Sequence, residues 1–133
     1  MNGYVPTELK LLGAAVVIGL AQIFLGAGAA TRDNGVTWNA GPRDAPIPPG
    51  VLAGRLDRAL RNFLETFPLF AAMLLADVAA GRLGALTLWG SWLYVVARAA
   101  YVPLYAAGAP YVRSLVWGVS LAGFIMVTAA LFV

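Results

Sequence analysis

The sequence predicts an all-α integral membrane protein: an antiparallel bundle of four transmembrane helices, in one domain covering residues 1–133. Three observations carry that expectation. Hydrophobic residues make up 61% of the chain and charged residues only 11%, against roughly 25% charge in a soluble domain, and the mean hydropathy is +0.80. The apolar residues gather into four blocks, each near the length of about 20 residues that crosses a bilayer core as helix. Between the blocks stand glycine and proline, the residues that break regular structure.

Composition also closes off several chemistries. The chain has no cysteine and no histidine, which removes disulfides, redox thiols and thiolate or imidazole metal sites, so no metal is expected. A histidine general base is absent too, leaving carboxylates, tyrosines or a substrate's own ionisable group for proton transfer. The net charge of +3 is small and spread along the chain. It suits basic residues at membrane borders, in contact with lipids, better than a nucleic-acid partner.

The first helix is expected at about residues 9–30, where Lys10 is the one charge and Gln22 the one strongly polar interior residue. A retained helix fits better than a cleaved leader, because Lys10 is a weak basic start and Glu8 precedes it. Gly13, Gly19 and Gly26 offer small patches for close helix approach. Residues 31–54 form the one long connection. Thr31-Arg32-Asp33-Asn34-Gly35 reads as a turn, and Ala45-Pro46-Ile47-Pro48-Pro49-Gly50 excludes regular helix or a central strand. Trp38 suits the membrane interface. The loop is either plain surface or, through Trp38 and Arg43, the mouth of a site.

The second helix is expected at about 52–80 with Pro68 inside it, a position that favours a kink. Gly81-Arg82-Leu83-Gly84 is so short that the second and third helices must be antiparallel neighbours. The third runs over 85–107 and carries Arg98 and Pro103; Ala107-Gly108-Ala109-Pro110 closes it. The fourth, about 111–132, holds a single charge, Arg113. Arg32, Arg43, Arg55, Arg58 and Arg113 lie on one side of this topology, with Lys10 and Arg82 on the other. The excess puts loop 31–54 in the cytoplasm and both termini outside.

At the start of the second helix Arg55, Arg58, Arg61, Asn62 and Glu65 share an arc of roughly 120° at 100° per residue. The third helix contributes one face of Tyr94, Arg98, Tyr101 and Tyr105, at spacings of four, three and four. On the fourth, Arg113, Trp117 and Ser120 share a face, with Ser114 beside Arg113. All three stretches fall at one membrane level. Five guanidinium groups, those of Arg55, Arg58, Arg61, Arg98 and Arg113, then meet two nearby acids, Asp57 and Glu65. Burying that excess is expensive, so an anionic ligand or lipid head groups should balance it. Arginine forks suit carboxylates and phosphates. The bland alternative is packing: pairs such as Asp57–Arg61 and Arg61–Glu65, with other arginines snorkelling to the lipid surface.

Arg58-Ala59-Leu60-Arg61-Asn62-Phe63-Leu64-Glu65 followed by Pro68 resembles the second-helix signature of the MAPEG family, the membrane-associated proteins of eicosanoid and glutathione metabolism. Arg98-Ala99-Ala100-Tyr101-Val102-Pro103-Leu104-Tyr105 and Pro110-Tyr111-Val112-Arg113-Ser114-Leu115-Val116-Trp117 resemble the third- and fourth-helix signatures of its bacterial branch. The resemblance covers almost the whole chain. It implies a homotrimer in a bacterial inner membrane, with glutathione as co-substrate in a cleft between subunits and a lipophilic substrate arriving from the bilayer. By the same resemblance Arg58, Arg61, Asn62 and Glu65 hold the glutathione backbone. Arg98, Tyr101 and Tyr105 are third-helix ligand contacts, and Arg113, beside Ser114, is the catalytic arginine that stabilises the thiolate.

The function implied is a glutathione-dependent transferase or peroxidase acting on lipophilic substrates. The rival class is a non-catalytic membrane protein that binds glutathione, lipid or a protein partner. A small transporter fits less well, because the basic face stays at one membrane level rather than continuing across.

Overall fold

The computed structural model describes residues 3–45 and 47–133; Pro46, part of the expected proline-rich stretch, lies outside the described residues. Five helices follow one another: α1 (Thr7–Asn34), α2 (Val36–Ala40), α3 (Val51–Ala79), α4 (Ala85–Ala107) and α5 (Pro110–Phe132). No strand occurs among the described residues.

The start of the long connection differs from the expected turn. Thr31, Arg32, Asp33 and Asn34 continue α1, and the Thr31 hydroxyl donates to the Ala27 carbonyl one turn back at 2.8 Å. That bond satisfies within the helix a hydroxyl that would otherwise compete with it. The helix stops at Gly35, whose φ of 86° is open to glycine and costly for other residues. The five-residue α2 follows directly. Further on, α3 and α4 run as continuous helices through Pro68 and Pro103.

The helices alternate in direction. A five-residue link joins α3 to α4, and Gly108-Ala109 joins α4 to α5. Glu8 and Thr87 tie the starts of α1 and α4 together: the buried Thr87 hydroxyl accepts the Gly84 N–H at 2.8 Å and donates to the Glu8 carboxylate at 2.9 Å. α1 and α4 are therefore parallel, and both run against α3 and α5. The start of α3, the end of α4 and the start of α5 share one end of the molecule.

Two glycines bring α4 and α5 into closest approach. A Cβ on Gly90 would stand 2.7 Å from the Gly123 carbonyl oxygen, and one on Gly123 would stand 2.7 Å from the Tyr94 nitrogen. No side chain fits there. A Cβ on Gly19 would meet the Phe63 ring at 2.9 Å, whereas Gly13, Gly26 and Gly118 face open space. Small residues at helix contacts let backbones approach where no hydrophobic force separates lipid from protein.

The chain is apolar outside and partly polar inside. Phe24, Val17, Leu69, Leu115 and Ile125 are exposed, while Gln22, Asp77, Ser91 and Arg98 are buried. The apolar core joins Leu11, Ala15, Phe70, Leu74, Tyr94, Val95 and Val127. Phe70 stacks on Tyr94 with ring centroids 4.0 Å apart, and the Tyr94 and Thr66 hydroxyls bond at 3.0 Å. Three helices, α1, α3 and α5, are long and apolar enough to cross a membrane. α4 has the length at 23 residues, but Arg98 and its tyrosines, turned inward, dilute its hydropathy.

Candidate functional site

The polar ends of α3, α4 and α5 enclose a cleft of about 290 Å³, lined by Arg58, Arg61, Asn62, Glu65, Tyr101, Tyr105 and Arg113. Each helix supplies its share by period. Arg58, Arg61, Asn62 and Glu65 recur three or four residues apart on α3, and Tyr101 and Tyr105 stand one turn apart on α4. Arg113 enters from the first turn of α5.

Tyr105 is the centre of the arrangement. Its hydroxyl accepts a hydrogen bond from Arg58 Nε at 3.2 Å, and the Arg113 guanidinium carbon lies 4.5 Å from its ring centroid. Tyr101 meets it edge to face at 5.6 Å. Cation–π contacts of this kind contribute about 0.5–2 kcal/mol, rising as water is excluded. Two arginines are thereby held on different helices, and their remaining donors have no hydrogen-bond partner among the described residues. Glu65 forms no ion pair among the described residues, so the cleft keeps one obligate acceptor among several obligate donors.

Two of the nine residues expected at a site lie elsewhere. Ser114 is exposed, and its hydroxyl donates to the Pro110 carbonyl at 3.1 Å. The preceding turn of its own helix claims it, through the back-bond that a serine hydroxyl makes to the carbonyl four residues earlier. Arg98 lies behind the cleft at 1% exposure. It sits between the Phe63 and Tyr101 rings, 5.5 and 4.8 Å from their centroids, and its Nη1 donates to Asn62 Oδ1 at 2.8 Å. Its Nε and Nη2 have no partner among the described residues.

The expected cluster of five arginines also resolves differently. Arg55 turns to the end of α4 and donates from Nη1 to the Ala106 carbonyl at 3.1 Å. A helix leaves its last carbonyls unpaired and carries partial negative charge there, so a cation caps it, worth about 0.3–1 kcal/mol. Arg61 pairs with Asp57 at 3.0 Å, one turn apart, with both side chains more than half exposed. Such a pair contributes about 0.3–0.5 kcal/mol. Asp57 itself borders a second cavity of about 270 Å³ between α1 and α3, together with Trp38 and Asn34. Trp38 and Arg43 do not reach the polar cleft. The indole donates to the Ala45 carbonyl at 3.3 Å, and Arg43 folds over its ring at 5.6 Å.

The link from Arg98 to Asn62 was invisible in the chain, since the two residues lie 36 positions apart on different helices. Phe63, beside Asn62 in the chain, forms part of the packing around the Arg98 guanidinium. Among the described residues no group of His, Cys, Asp and Glu could hold a metal ion.

The model of the MAPEG family matches residues 11–133. No curated protein and no solved structure matches the chain.

Proposed function

The chain belongs to the MAPEG family and is a membrane protein, and from that premise we propose that it is a glutathione-dependent transferase or peroxidase acting on lipophilic substrates. The observation that carries the reading is the convergence of Arg58, Arg61, Asn62, Glu65, Tyr101, Tyr105 and Arg113 on one cleft. Glutathione brings two carboxylates, one ammonium and one thiol. Arginine forks suit the carboxylates, and Glu65 suits the ammonium.

Arg113 is the residue for the sulfur. A thiol ionises near pH 8–9, and a fixed cation beside it favours the thiolate, which is the nucleophile. A guanidinium does this without changing its own protonation. The thiol proton leaves to solvent, the thiolate forms a bond to an electrophilic carbon, and the leaving group departs with its electron pair. With Ser114 bonded to Pro110, the thiolate rests on Arg113 rather than on a pair of groups. That observation also favours the second reading, a non-catalytic membrane protein that binds glutathione or lipid through the same donors.

The proposed assembly is a homotrimer of subunits with four membrane crossings, α1, α3, α4 and α5. The arginine bias supports loop 31–54 in the cytoplasm and both termini outside, in a bacterial inner membrane. The exposed flank of the cleft, at Arg61 and Glu65, is the edge a neighbouring subunit would cover.

The test is calorimetric titration of the detergent-solubilised protein with glutathione, followed by turnover of a dinitrohalobenzene. Binding with turnover supports the enzyme. Binding without turnover moves the assignment to the non-catalytic reading, and no binding overturns both glutathione readings.

A further inference from the structure

We infer that Arg98 is a positioning residue: it holds the Asn62 carboxamide with its oxygen turned away from the cleft and its NH2 turned toward the ligand. The inference rests on the glutathione reading for the ligand's name, but its geometry stands without it. Arginine carries donors only, so the Asn62 atom 2.8 Å from Arg98 Nη1 must be the oxygen. Chemistry alone thus settles which way the amide faces. Asn62 also lines the cleft, and its nitrogen is the group left to meet a ligand.

The guanidinium is well placed to enforce that orientation. Arg98 is 1% exposed and wedged between the Phe63 and Tyr101 rings, so it cannot swing into the cleft while this packing holds. Nε and Nη2 lack partners among the described residues, which leaves the Asn62 oxygen as its one hydrogen-bonding anchor. A buried cation with one acceptor is a strong constraint on that acceptor, because flipping the amide would set an NH2 against a guanidinium.

The consequence is a polarity rule. The Tyr105 hydroxyl accepts from Arg58, so its own proton is free to donate. Asn62, Tyr105, Arg58 and Arg113 then all offer donors, and Glu65 is the lone carboxylate facing them. Position 62 selects an acceptor on the ligand, a carbonyl or carboxylate oxygen, and Arg98 makes that selection without touching the ligand.

A double-mutant cycle tests this on the full-length protein in detergent, with glutathione as probe. Asn62→Ala and Arg98→Met should each raise the glutathione Kd about tenfold, as for loss of one hydrogen bond to a charged group. The double variant should stay near tenfold, because Arg98 acts through Asn62. KM should follow Kd while kcat changes less than about twofold, since neither residue faces the sulfur. A hundredfold loss in the double variant, or unchanged binding in Arg98→Met, overturns the proposal.

Asn62→Asp supplies a reading that needs no ligand and no Arg98 variant. It places a carboxylate against the unpaired guanidinium, so the thermal midpoint without thiol should rise, while glutathione affinity should fall as a donor becomes an acceptor. A lowered or unchanged midpoint refutes the Arg98–Asn62 contact. If the wild type binds no glutathione, the glutathione reading falls, and this midpoint still decides the geometry.

Discussion

The Arg113 guanidinium stands over the Tyr105 ring, 4.5 Å from its centroid, and the same ring's hydroxyl receives Arg58 from the opposite helix. In the proposed reaction, one tyrosine thereby aligns both the arginine for sulfur and an arginine for carboxylate. The sulfur becomes anionic only when the thiol ionises, whereas the carboxylates are charged throughout, so the two arginines should separate in kinetics. Arg113→Leu should leave most glutathione binding intact and lower turnover on the order of 10²-fold. The thiolate absorbance in ultraviolet difference spectra should fade in parallel. Undiminished turnover would remove Arg113 from the chemistry.

Arg61→Ala and Glu65→Gln should raise the thiol concentration needed for half-maximal rate with smaller effects on kcat. A change that stranded a buried partner would also loosen the fold. The exposure of Arg61 and Asp57 argues against that here. Thermal unfolding of Arg61→Ala should differ from wild type by no more than about 0.5 kcal/mol. A collapse in stability would mean that the pair is buried in the assembled protein.

Gly90→Val and Gly123→Val should abolish folding or recovery of the detergent-solubilised protein, because each inserts atoms into a helix contact already at backbone distance. Gly118→Ala and Gly13→Ala, whose new methyl groups meet nothing within 4 Å among the described residues, should leave the thermal midpoint of the protein unchanged. Equal recovery of all four variants by size-exclusion chromatography would contradict the α4–α5 packing.

Reporter fusions placed after Gly41 and at Val133 should report cytoplasmic and external positions respectively. The expectation follows from Arg32, Arg43, Arg55, Arg58 and Arg113 on one side against Lys10 and Arg82 on the other. The reverse pattern would invert the orientation and move the polar cleft to the external face.

Family membership, the helical architecture and the polar faces were legible in the sequence because each is a local property. Hydropathy marks α1, α3 and α5 without reference to neighbours. A period of three or four residues collects Arg58, Arg61, Asn62 and Glu65 on one side of α3, and Tyr101 and Tyr105 on one side of α4. The end of α1 was not legible: Thr31 to Asn34, expected as part of a turn, continue the helix up to Gly35.

What tertiary structure decided is where each guanidinium ends. Five arginines look alike in the chain, yet Arg55 caps α4, Arg61 pairs along its own helix, Arg98 is buried behind Asn62, and Arg58 and Arg113 meet at Tyr105. Ser114 sits beside Arg113 in sequence and bonds to its own helix instead. Periodicity assigns a residue to a face, but the partner opposite that face depends on axial stagger and helix rotation. Those are set by contacts such as Glu8 with Thr87 and Gly90 with Gly123, between residues far apart in the chain. A long side chain with five donors takes whichever acceptor that stagger brings within about 3 Å, and no local pattern specifies which one it will be.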